Sequence, residues 1–270
     1  LARKFGEITN IVVMGMGEPF ANYDETMRAL KLINAGKGPN LGARHITIST
    51  CGIVPGFERL AAEGIQFELS VSLHAPNDAL RSELMPVNRR WPIDELLQAC
   101  ADYTRKTKRI ITFEYTVIKG VNDSRANAEE LARQVKRVPM AKVNLIPLSP
   151  VSHRPDFKTP DEKTLLMFLD VLMKNRVQTM LRRSRGKDAD AACGQLRLRH
   201  LNENKTKKTE NGNVSYYKGR NYVGVKETVS YLFNDWSNTF NINSFSERYI
   251  WDVVNIDFTV NAVMNLATTA

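Results

Sequence analysis

From residue 11 to residue 181 the chain repeats one pattern. A short apolar, β-branched run is stopped by glycine or proline, and an amphipathic helical stretch follows. The runs cover 11–14, 45–50, 67–73, 110–118, 142–146 and 177–181. Helices are expected after Asn22 or Asp24 (through Met27, Leu30 and Ile33), after Pro55, and over 79–84, 93–104, 126–138 and 161–175. In the last of these, Leu165, Phe168, Leu169 and Leu172 recur at the spacing of one helix face. In 126–138, Leu131 and Val135 are expected to face inward. Strands and helices alternate at roughly the 30-residue spacing of βαβ units, which predicts right-handed crossovers and a parallel sheet.

Polar and glycine-containing motifs fall where the strands end. Gly15-Met16-Gly17-Glu18-Pro19 closes the first run, Ser49 precedes Cys51-Gly52, and Ser72-Leu73-His74-Ala75-Pro76 closes the third. Asn144 and Ser149 flank the end of the fifth. The carboxyl edge of a parallel sheet or barrel is where sites are built. Gly17, Glu18, Ser49, Ser72, Leu73, His74, Asn144 and Ser149 are therefore expected on one rim. A carboxylate beside a glycine, as at Glu18, suits a charged amine or a ribose, although a simple turn uses the same residues. His74 reads as a ligand contact, a proton carrier or a satisfied core histidine.

Beyond the last run lies Arg182-Arg183-Ser184-Arg185-Gly186-Lys187-Asp188-Ala189-Asp190-Ala191-Ala192-Cys193-Gly194-Gln195-Leu196. No large side chain adjoins the Cys193 sulfur, and the nearby cations favour its thiolate, the nucleophilic form. The competing reading is a small buried cysteine at a turn.

The formal net charge is +9, and all of the excess lies in residues 1–200, because 201–270 are balanced. A basic globular part is compatible with a polyanionic partner such as nucleic acid. Three dispersed cysteines argue against a disulfide framework. No Cys-x-x-Cys occurs, His45 and His153 have no matching partners, and no metal ligand set is proposed. A Ser/His/Asp hydrolase lacks its Gly-x-Ser-x-Gly. The chain opens without an apolar leader segment, and no run approaches the roughly 18 residues of a membrane span, so a soluble, cytoplasmic protein without membrane contact is expected. After His200 the texture changes. All 11 prolines precede residue 161, whereas 201–270 hold 12 asparagines. The expected organisation is a core over 1–200, a polar linker over 201–213, and a tail over 214–270 of unknown fold and origin, unrelated in texture to the rest.

Several strings occur together and in order. They are Met14-Gly15-Met16-Gly17-Glu18-Pro19, Gly42-Ala43-Arg44-His45-Ile46-Thr47-Ile48-Ser49-Thr50-Cys51-Gly52, Ser72-Leu73-His74-Ala75-Pro76-Asn77-Asp78, Leu84-Met85-Pro86-Val87-Asn88, Phe113-Glu114-Tyr115, Gly120-Val121-Asn122-Asp123, Val143-Asn144-Leu145-Ile146-Pro147 and Asp190-Ala191-Ala192-Cys193-Gly194-Gln195-Leu196. Over about residues 5–197 the chain closely resembles the RlmN/Cfr-type radical S-adenosylmethionine RNA methyltransferases.

The resemblance implies a partial (βα) radical-SAM-type barrel that holds S-adenosylmethionine on a [4Fe–4S] cluster. It implies that Gly17 and Glu18 bind the methionyl end of the cofactor, and that Ser49, Ser72, Leu73 and His74 contact the remainder. The position of Ser149 is usually Asn in that family. Cys193 matches the methyl-carrying cysteine. In the implied chemistry this thiolate accepts a methyl group, because adenine C2 is not itself nucleophilic. A 5′-deoxyadenosyl radical from a second cofactor molecule then takes hydrogen from the S-methyl group, and the carbon radical adds to the base. A second cysteine resolves the protein–RNA link. The implied substrate is an adenosine of 23S rRNA, and also one in certain tRNAs, splayed out to reach the rim. Arg182, Arg183 and Arg185 are candidates for holding nearby phosphates. In that family the Cys-x-x-x-Cys-x-x-Cys loop, the resolving cysteine and an RNA-binding domain precede the counterpart of Leu1, so the chain as given is expected to be an inactive fragment. The alternatives are a C8-methylating resistance enzyme of the same type, or a non-catalytic nucleotide- or RNA-binding remnant. No protein partner is inferred.

Overall fold

Each apolar run contains a strand, and helices fill the stretches between, in the computed structural model, which describes residues 9–14, 17–36, 39–149 and 156–182. The strands are β1 (Ile11–Val13), β2 (Ile46–Thr50), β3 (Glu68–Ser72), β4 (Ile111–Val117), β5 (Ala141–Pro147) and β6 (Thr179–Leu181). They alternate with α1 (Tyr23–Asn34), α2 (Pro55–Ala62), the consecutive α3 (Asp78–Leu84) and α4 (Ile93–Thr107), α5 (Arg125–Val135) and α6 (Glu162–Lys174). Thr47–Lys187 is one compact unit, and the described residues before Thr47 belong to another. The expected boundaries at 200 and 213, the tail, Arg183, Arg185 and Cys193 lie outside the described residues. Among those described, no helix is long and apolar enough to cross a membrane.

In the earlier unit, α1 buries Tyr23, Met27 and Leu30. Asn22 occupies the N-cap, but its side chain makes no capping bond; Asp24 and Glu25 instead set negative charge against the positive end of the helix dipole.

In the later unit, sheet order from β2 to β6 is chain order and every pairing is parallel. This is an open, partial (βα) barrel. Successive side chains point to opposite faces, and the two faces differ sharply. One carries Ile48, Leu69, Val71, Phe113, Tyr115, Val143 and Leu145, all at most 1% exposed. Helical Phe57, Leu60, Leu96, Leu131 and Phe168 share that core, and each such side chain contributes about 1.5–3 kcal/mol by burial. The opposite face carries Thr47, Ser49, Ser70, Ser72, Thr112, Glu114, Thr116, Lys142 and Asn144. The helices are secured by side-chain caps: Asn77 accepts from the Leu80 amide, Ser124 from Asn127, and Asp161 from Thr164.

Several bounds differ from expectation, three of them for identifiable local reasons. Residues 43–45 form a 3-10 turn, so β2 starts after His45. Helix α5 stops at Val135 because the next amides bond to the carbonyl three residues back, Arg137 to Gln134 and Val138 to Val135. Strand β6 starts at Thr179, not Val177, because the Val177 amide is spent on the helix end. Arg176 takes a left-handed φ of 60° and donates to Met173, while Val177 donates to Leu172, the paired bonds of a Schellman cap. An arginine there, in place of the usual glycine, left no signal in the sequence. Within α6, Val171 is buried and Leu169 only half-buried.

Candidate functional site

The strand ends of the later unit bring several expected residues into one neighbourhood. In the register of the sheet Ser49 pairs with Ser70, and Ser72 pairs with Glu114, which pairs with Asn144. Beyond Ser72 the chain turns sharply. The Leu73 and His74 amides both donate to the Glu114 carbonyl, at 3.0 and 3.3 Å, and the Ala75 amide returns to the Leu73 carbonyl at 2.7 Å. His74 adopts φ 56°, a left-handed conformation that costs a non-glycine residue free energy and persists only where its surroundings enforce it.

Two buried side chains do the enforcing. Arg81 of α3 is fully buried. Its Nε donates to the Leu73 carbonyl at 3.2 Å, Nη2 to the carbonyls of Ser72 (3.0 Å) and Cys51 (2.7 Å), and Nη1 to Asn88 Oδ1 (2.9 Å). Asn88 in turn donates to Asp78 Oδ1 and Ser82 Oγ. On the other side, Asn122 is also fully buried. Its Nδ2 donates to the carbonyls of His74 (2.8 Å) and Thr116 (2.7 Å), and its Oδ1 accepts from the Ile118 amide at 2.7 Å. The Thr116 amide donates to His74 Nδ1 at 3.0 Å. Burial pulls the His74 imidazole down to about 4, and the Arg81 charge acts in the same direction.

Gly52 allows β2 to approach this cluster. Its φ is 102°, and a Cβ there would lie 2.9 Å from Leu96 Cδ1 and 3.4 Å from Arg81 Nη2. Leu73 is fully buried, whereas Ser49, Ser72 and His74 keep part of their surface accessible. Ser149 also keeps part of its surface accessible. It follows Leu148, whose amide donates to the Val117 carbonyl at the end of β4 (3.1 Å), so it too stands at a strand end.

Gly17 and Glu18 belong to the earlier unit. Gly17 is exposed, and the Glu18 carboxylate accepts from the Phe20 amide at 2.9 Å. Cys193 lies outside the described residues.

Deeper in the polar face is a cavity of about 210 Å³ lined by Thr47, Glu68, Ser70, Thr112, Glu114, Lys142, Val143, Asn144 and Met180. Glu114, 5% exposed, accepts from Asn144 Nδ2 at 3.0 Å. Burial raises its pKa, against the lowering pull of Asn144, Arg182, Ser70 and Lys142. Asn144 Oδ1 is buried and has no hydrogen-bond partner among the described residues. None of the residues singled out as cofactor contacts lines this cavity.

Arg81, Asn88, Glu114 and Asn122 had no role assigned from the sequence. Asn88, Glu114 and Asn122 stand inside the ordered motifs, but a motif does not reveal that Asn122 bonds the His74 carbonyl, 48 residues away. The hydroxyls and the half-open imidazole at the strand ends suit a nucleoside-type ligand such as S-adenosylmethionine. An iron–sulfur cluster, which needs several thiolates, does not fit the described cysteines. The described cysteines are Cys51 and Cys100, and burial pushes the Cys100 thiol far above its ordinary value and keeps it protonated. Among the described residues no group of three or more His, Cys, Asp or Glu is placed to hold a metal ion.

Residues 1–133 match the family model for the radical SAM superfamily. A protein of Symbiobacterium thermophilum named "Probable dual-specificity RNA methyltransferase RlmN" is 50% identical over 192 residues, covering 71% of this chain and 52% of that protein. A Thermoanaerobacter protein of the same name is 47% identical over 199 residues, covering 74% of this chain and 58% of that one. A radical SAM methyltransferase from Sphaerobacter thermophilus, solved by crystallography, superposes with a TM-score of 0.69 at 52% identity, over 72% of this chain and 57% of that one. The chain thus spans a little over half the length of the curated relatives it matches.

Proposed function

We propose that this chain, whose residues 1–133 match the radical SAM superfamily, is the S-adenosylmethionine-binding part of an RNA methyltransferase that places a methyl group on C2 of adenine in 23S rRNA and in certain tRNAs. The observation that carries this reading is the enforced turn at Ser72-Leu73-His74. Two buried side chains, Arg81 and Asn122, hold a strained strand end open to a ligand. The relatives' shared name, at 47–50% identity, supplies the reaction class and the RNA substrate.

Ser49, Ser72, Leu73, His74 and Ser149 would hold the nucleoside part, and Gly17 and Glu18 the methionyl end. When bound, S-adenosylmethionine supplies the methyl group. Cys193 would receive it as a thiolate, with Arg182, Arg183, Arg185 and Lys187 lowering its pKa and favouring a phosphate backbone nearby.

Calorimetric titration of the full chain with S-adenosylhomocysteine tests the site. His74→Ala and Ser72→Ala should each weaken binding by about tenfold, the equivalent of about 1.4 kcal/mol. Unchanged affinity in both variants would refute the assignment. For the reaction, the chain is extended to its relatives' length and presented with 23S rRNA. Nucleoside mass spectrometry should find 2-methyladenosine with Cys193 present and none with Cys193→Ala; 8-methyladenosine would move the protein to the C8-methylating type.

A further inference from the structure

The hydrogen bonds around His74 fix more than its position. The Thr116 amide can only donate, so His74 Nδ1 must present a lone pair, and a neutral ring then carries its proton on Nε2. Nε2 has no hydrogen-bond partner among the described residues, and His74 keeps part of its surface accessible. The orientation of Asn122 is equally unambiguous. Its Oδ1 faces an amide that can only donate, and its Nδ2 faces two carbonyls that can only accept. The Tyr115 hydroxyl anchors Asn122 further by donating to its backbone carbonyl at 2.8 Å.

We propose that His74 is a preset, single-donor contact. Its Nε2–H takes a hydrogen-bond acceptor atom of the bound ligand, a nucleoside oxygen, a ring nitrogen or a carboxylate, and Asn122 is the positioning residue that sets this arrangement. The assignment of the ligand rests on the strand end being the S-adenosylmethionine site; the assignment of the tautomer does not. A ring so held is no proton carrier at neutral pH. Protonating Nδ1 would break the Thr116 bond and set a second cation beside the buried guanidinium of Arg81, the charged group that acts on the ring.

The test is a long-range proton–nitrogen correlation spectrum of the full chain carrying ¹⁵N-histidine, with His74 assigned by its disappearance in His74→Gln. The expected result is the neutral Nε2–H pattern, unchanged between about pH 5 and pH 8. S-adenosylhomocysteine should move the Nε2 resonance and leave Nδ1 nearly in place. Separate titrations with adenosine and with methionine show which half of the ligand supplies the acceptor. Asn122→Asp replaces the double donor by an acceptor; it should return His74 to ordinary titration and weaken S-adenosylhomocysteine about tenfold. If that variant does not fold, Asn122→Ser, whose single short hydroxyl cannot donate to both the His74 and Thr116 carbonyls, provides the same readout. An Nδ1–H pattern, an imidazolium near neutrality, or a folded Asn122 variant with unchanged His74 signals and affinity would each overturn the proposal. Failure of the wild-type chain to bind any of the three probes removes the cofactor reading and the acceptor assignment with it, while the spectrum still decides the tautomer.

Discussion

Arg81 Nη2 donates to the carbonyl of Cys51 at 2.7 Å, so the end of β2 is tied to the turn after β3 by a side chain from α3. The same guanidinium serves Ser72, Leu73 and Asn88. Replacing it by methionine would leave buried carbonyls without donors, each at a cost of about 1–3 kcal/mol. Arg81→Met should therefore lower unfolding stability by about 3 kcal/mol or more in urea denaturation. Arg81→Lys should recover part of this, because an ammonium cannot reach all four acceptors in the plane of the fork.

His74 makes folding sensitive to acid. Its folded pKa is depressed from 6.5 to about 4, so the unfolded chain takes up a proton first as the pH falls. Its contribution is complete above 6.5 and is lost progressively down to about 4, by at most about 3 kcal/mol. Thermal unfolding followed across that window should show a steeper decline for the parent than for His74→Gln.

Glu114 acts with the opposite sign. Burial raises its folded pKa, so its contribution is present while both states are protonated, below the ordinary 4.5, and is lost as the pH rises through the folded value. Glu114→Gln keeps an acceptor for Asn144 and removes the buried charge. The variant should match the parent near pH 4.5 and exceed its melting temperature at neutral and alkaline pH.

Ser149 offers one hydroxyl where the resembling family usually has an amide. Ser149→Asn should tighten S-adenosylhomocysteine binding by about 2- to 10-fold, the range of one added neutral hydrogen bond. Calorimetry would measure it, and an unchanged constant would remove Ser149 from the binding surface.

Much of the architecture could be read from residue order alone. Runs such as 110–118 are long, β-branched and stopped by glycine, which leaves a buried parallel strand as the economical solution. Ser72 and His74 stand out for the same reason, as polar residues at the stop of such a run. Arg81 and Asn122 were not legible in that way. Each lies within α3 or a loop, where a charged or amide side chain usually faces water. Their burial depends on carbonyls 30 residues away in Cys51 and 48 away in His74, a relationship that no local pattern encodes. The late start of β6 escaped notice for a smaller reason, a helix cap built on Arg176 without glycine.

The polar face of the β2–β6 sheet has a thermodynamic corollary. A ligand settling against Ser49, Ser70, Ser72, Thr112 and Asn144 would displace hydration from hydroxyls and amides, and would bury little hydrocarbon. Apolar burial is what gives binding its large negative heat-capacity change. Association on this surface should accordingly show a binding enthalpy that varies only weakly with temperature.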